Sequence, residues 1–168
     1  MTSDETSTDL RLDAFTSRAG SVVSLFSQQH GFTEPVTRVD RTVSTVTIAA
    51  KKGEIAIEVR YDYREDHIEV TLARLENGVV PEGYVLDAAG RRFRAHASEL
   101  LRARGVYDLG LKPPSSKERF DEKCHRVVAR YLTLLEHHAP DVIDGFASLF
   151  DETTFGPGGG KLKAPPRT

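Results

Sequence analysis

His137, His138 and Asp141 offer three donors of the metal-ligating type within five residues, the arrangement a metal-dependent hydrolase would need. Adjacent helical residues point about 100° apart, so His137 and His138 do not share an ion without a turn between them. At the end of a helix their imidazoles instead suit the negative pole of the helix dipole, and that reading is favoured. Cys124-His125 is the other thiol and imidazole pair. Cys124 falls on an apolar helical stripe and His125 off it, which predicts a buried, inert thiol rather than a nucleophile.

Carboxylates recur at Glu54, Glu58, Asp62 and Glu69. Acid–base work would need burial or close like charges to raise a carboxyl pKa, and nothing in the pattern supplies either. These four residues read instead as one charged face, a surface for binding another protein. The basic cluster is Arg91-Arg92-Phe93-Arg94, with Arg102 and Arg104 beyond it. Arginines interleaved with an aromatic are a nucleic-acid signature. A net charge of −2 and a pI near 6.3 argue for the milder reading, a basic loop balanced by the acidic face. Gly158-Gly159-Gly160-Lys161 lacks the strand, spacing and helix of a phosphate loop. No serine sits in a Gly-x-Ser-x-Gly elbow, and no cofactor is called for.

The elements that position these residues follow from periodicity. Ile55, Ile57, Val59, Tyr61 and Tyr63 alternate with charged residues, which is the period of a half-buried strand. Turns at Lys52-Gly53 and Glu65-Asp66 predict an antiparallel meander. That register sets Ile48 opposite Ile57, Val46 opposite Val59, Tyr61 opposite Val70 and Val59 opposite Leu72, with all the apolar side chains on one face. The tyrosines of that parity are then core rather than a ligand platform. Val36–Val43 reads as a further strand or a lead-in, and Tyr84–Arg94 as a hairpin around Asp87–Gly90. Leu12, Phe15, Ala19, Val22 and Phe26 draw the stripe of a first helix over 11–29. A short helix is expected over 98–104, stopped by Gly105. A long one is expected over 116–137, opened by a Ser115/Glu118 capping box, and a last one after Pro140.

Helix, clustered strands, then helices predict an α+β domain. In it an antiparallel sheet of three to five strands has the first and the C-terminal helices packed on one face. The expected organisation is a flexible arm over 1–10, one domain over 11–155 and a disordered Gly/Pro-rich tail over 156–168. One cysteine excludes an intramolecular disulfide and Cys-rich zinc sites. An acidic start without an apolar run, and no membrane-length apolar stretch, make the cytoplasm the expected location.

Three segments, SLFSQQHGF, IEVRYDYREDHIEVTLARL and LEHHAPDVIDGFASLF, together resemble a loose group of small uncharacterised bacterial α+β proteins. Some members of similar groups look like immunity proteins beside polymorphic toxins. The resemblance spans roughly residues 20–150 and carries no catalytic residue. An ordered fold with no catalytic constellation and a charged open sheet face points to a non-enzymatic protein-binding module, and the resemblance adds an immunity-type inhibitor of a toxin domain as one form of it. The alternatives are the histidine-based hydrolase and a nucleic-acid accessory factor using Arg91–Arg94. Neither the resemblance nor the motifs fix an oligomeric state.

Overall fold

The computed structural model describes residues 3–81, 83–111 and 118–150, with side chains from residue 7 onward. The expected tail over 156–168 and the expected helix cap at Ser115 lie outside the described residues. Helix α1 (Ser3–His30) leads into five strands: β1 (Val36–Asp40), β2 (Thr45–Lys52), β3 (Ile55–Asp62), β4 (His67–Arg74) and β5 (Arg94–His96). Helices α2 (Ala97–Ala103), α3 (Phe120–His138) and α4 (Pro140–Ile143) follow, with a 3-10 turn at Ser148–Phe150. The strands pair antiparallel in chain order, so the sheet is a simple meander with β1 and β5 at its edges. This is the expected α+β architecture.

Alternation sends Val46, Ile48, Ile57, Val59, Tyr61, Val70 and Leu72 to the inner face, where all are buried against α1 and α3. Phe15 of α1 stacks on Tyr61 at 5.4 Å between ring centroids, and Phe120 of α3 meets the same ring at 5.0 Å. Tyr61 is therefore a core residue, and burial pushes its phenol up to about 12. An added Cβ on Gly20 of α1 would lie 4.0 Å from Ile48 Cδ1, an ordinary packing contact with the sheet.

Both turns sit differently from the expected register. Lys52 pairs with Ile55, so the first turn is Gly53-Glu54, and Ile48 lies opposite Val59 and Val46 opposite Tyr61. Positive φ at Gly53 (56°), and not at Glu54, is the pattern of a hairpin turn with glycine in its first central position. Asp62 pairs with His67, so Tyr63–Asp66 forms the second loop, and Tyr61 faces Ile68 while Val59 faces Val70. Each register differs from expectation by two residues, which leaves the side chains within the paired strands on their predicted faces.

The two ends of the meander are clamped to the helices. At one end Asp66 accepts from Lys123 Nζ (2.9 Å), Tyr61 Oη (3.1 Å) and Arg11 (3.2 Å), tying the β3–β4 loop to α1 and α3. Burial pushes the Asp66 carboxyl up, and these partners outweigh it, so the group sits below its ordinary value. At the other end Lys52 Nζ donates to the carbonyls of His30 and Ile143, both at 2.7 Å. The Glu54 amide donates to the Gly145 carbonyl at 2.8 Å. This approach requires glycine on both sides: a Cβ on Gly53 would lie 2.6 Å from Gly145 O, and one on Gly145 would lie 2.8 Å from Lys52 O.

Two helix starts depart from expectation. The first helix begins at Ser3, not near Arg11, so most of the stretch expected as an arm is helical. The long helix begins at Phe120, where the Arg119 amide donates to Glu122 Oε2 at 3.3 Å. Glu118, the expected capping partner, is bound by Arg126 at 2.6 and 2.9 Å instead. No helix among the described residues is long and apolar enough to cross a membrane.

Candidate functional site

The outer face of the sheet presents polar side chains from all five strands, and alternation decides its membership. The pairing aligns Arg38, Thr47, Arg60 and Glu69 in one row across four strands. Asp40, Thr45, Asp62 and His67 form the next row, and Ala49, Glu58, Thr71 and His96 the row on the other side. A shallow depression of about 220 Å³ opens over this floor, and a neighbouring one of about 180 Å³ shares Arg60, Glu69 and Tyr84 with it. Tyr84, from the loop between β4 and β5, stands on the rim and is exposed.

The face is a mosaic of paired charges rather than the acidic surface expected. Glu58 is buried and accepts from Arg94 Nε at 2.6 Å and from Thr71 Oγ1 at 3.4 Å. Arg94 also donates to the carbonyls of Gly83 (3.0 Å) and Tyr84 (2.7 Å), which holds the loop against the sheet. Asp62 lies 3.8 Å from Arg60 and accepts from the Arg64 amide at 2.9 Å. Glu69 lies 3.8 Å from His96 Nδ1. Glu54, the fourth acid expected on this face, is not on it. It occupies the β2–β3 turn, where its carboxylate accepts from the Ala147 amide at 3.3 Å.

The basic cluster is dispersed in the same way. Arg91 pairs with Glu76 (2.5 Å) and Asp87 (2.8 Å), and Arg92 with Glu99 (2.5 Å). The Asp87 carboxyl is held below its ordinary value, mainly by the Arg91 backbone amide. The expected hairpin forms here, with Leu86 bridged to Arg92 and the Gly90 amide donating to Asp87 O at 2.9 Å. Arg104 grips Asp141 through two bonds of 2.5 and 2.7 Å, while Arg102 is exposed on α2. Arg94 of this cluster lines the outer-face depression.

The histidine set does not converge. His137 bonds the Thr133 carbonyl of its own helix at 2.8 Å, His138 is exposed, and Asp141 is committed to Arg104. Burial pushes the Asp141 carboxyl up, but the Arg104 bonds and charge carry it below its ordinary value. Among the described residues no group of three or more His, Cys, Asp or Glu side chains could hold a metal ion. Cys124 is fully buried, with its thiol pushed up to about 12 by burial, and His125 is exposed.

Sequence reasoning missed Arg38, Arg94 and Tyr84 as members of the outer face. The parity of Val36-Thr37-Arg38-Val39-Asp40, and of Arg92 through His96, carried that signal for the two arginines. Tyr84 carried none, because its place depends on how a loop folds back. Comparison of the chain with protein-family models, curated proteins and solved structures returns no match to any of them.

Proposed function

We propose that this protein is a non-enzymatic, cytoplasmic protein-binding module, and that its partner docks on the outer face of the sheet. In the immunity-type reading that partner is a toxin domain. The observation that supports this is the open mosaic of Arg38, Arg60, Glu69 and Tyr84 on a rigid sheet floor. Arginine and tyrosine are the side chains enriched where proteins meet. Fixed charges of both signs select a partner with the complementary layout and speed its encounter. The acids of this face are engaged with arginine, imidazole and amide groups, an arrangement suited to recognition.

The test is cross-linking capture from the native host, comparing the wild-type chain with Arg60→Glu/Glu69→Arg, which inverts the central row and keeps its net charge. The expected result is one saturable partner whose capture falls at least roughly tenfold in the variant, with an unchanged circular-dichroism melt. If that partner is a toxin domain, co-expression of the wild-type chain restores growth and the variant does not. Equal capture by both chains, or no saturable partner at any salt concentration, would overturn the proposal.

A further inference from the structure

We infer that two copies of this chain join edge to edge through β1, antiparallel and centred on Val39, so that Arg38 of each copy faces Asp40 of the other. The inference is independent of the function proposed above. All five residues of β1 are exposed, with Val36 at 70% and Val39 at 44%, and among the described residues no strand pairs with its outer edge. An uncovered edge bearing valines is a template for a further strand. The opposite edge is different: β5 has three residues, runs directly into α2, and is shielded by the loop that Arg94 holds.

The choice of a second copy follows from self-complementarity. A two-fold axis perpendicular to the sheet keeps inner faces on one side only if it passes through a residue pair of like number. Three such registers pair at least three residues of β1. Centred on Thr37, the strand sets Asp40 against Glu34 and Val39 against Pro35, acid against acid. Centred on Arg38, it opposes two arginines, and like charges directly opposite destabilise a pair. Centred on Val39, it gives two Arg38–Asp40 pairs on the outer face and a Val39–Val39 contact on the inner one.

The side chains are prepared for that register. Asp40 Oδ1 accepts from the amides of Thr42 (3.0 Å) and Val43 (3.4 Å), which fixes the carboxylate at the end of the strand. Arg38 makes no ion pair among the described residues. The shared ladder would span Arg38–Asp40, the same length as the ladder that joins β5 to β4. Because Arg38 and Asp40 also line the outer-face depression, dimerisation would merge the two depressions across the axis.

Sedimentation equilibrium of the full chain over a wide concentration range tests this. The wild type should dimerise reversibly. Arg38→Glu and Asp40→Lys should each raise the dimer dissociation constant by roughly tenfold or more, since each turns two attractions into two repulsions. Mixed in equal amounts, the two variants should restore a dimer containing one of each, because every new charge then meets its opposite. Asp40→Asn retains an oxygen to cap the turn and should weaken the dimer less than Asp40→Lys. A wild type that stays monomeric, a dimer indifferent to Arg38→Glu, or folded variants that fail to associate when mixed would each overturn the inference.

Discussion

On the inner face of the sheet, Ile48, Val59 and Val70 lie side by side across three strands beneath the helices. One residue along, Thr47, Arg60 and Glu69 form an equally regular row on the outer face, open to a depression. The backbone is shared and the pairing is the same, so the difference lies in what covers each face. Helices remove the inner row from water, and its stability comes from packing. The outer row is only partly covered, and the buried Glu58–Arg94 pair beside it is anchored to a loop. The fold can thus vary one face without repacking the other.

The largest effect should come from the inner face. Leu72→Ala removes a fully buried side chain opposite Ile57 and should cost about 2–5 kcal/mol, read as a lower urea midpoint at unchanged slope. A smaller loss would mean the helix layer collapses into the space. The next effect belongs to the outer face. Glu58→Ala strands Arg94, whose side chain is only 18% exposed, and should cost about 1–3 kcal/mol. Adding Arg94→Ala should cost less than the two single losses combined. Strict additivity would show that the mosaic is decoration rather than a coupled network.

The smallest effect lies at the rim of the helix layer. Asp141 has a folded-state pKa below its ordinary value of 3.8, so its pairing with Arg104 stabilises the fold above that value. The contribution is lost as pH falls through the folded-state value. Asp141→Asn should therefore cost under about 1 kcal/mol at neutral pH. Its gap from wild type should close in acid, followed by melting temperature from pH 7 to about pH 2. A gap that persists in acid would assign the effect to packing.

The inner face is legible in the sequence because parity survives a register error of two residues: each turn lies one residue from its expected place, which shifts the pairing by two, yet the apolar side chains within the strands keep their expected face. The outer face was less legible because its order depends on distant partners. Glu58 and Arg94 are 36 residues apart, and no local pattern links them. Counting by twos also carried Glu54 onto a face that had already ended, since the strand begins at Ile55. The early start of α1 escaped for a related reason. A helix nucleated by its packed turns extends cheaply at its ends, so the apolar stripe marks where the helix is held rather than where it begins.

The glycine contact between the β2–β3 turn and the segment after α4 has a consequence for the order of assembly. Lys52 and Ile143 are joined across 91 residues of chain. During synthesis the hairpin around Gly53 emerges long before its clamp does. Until then the Glu54 amide is left to water, and closing that contact is a late step that waits for α3 and α4 to dock.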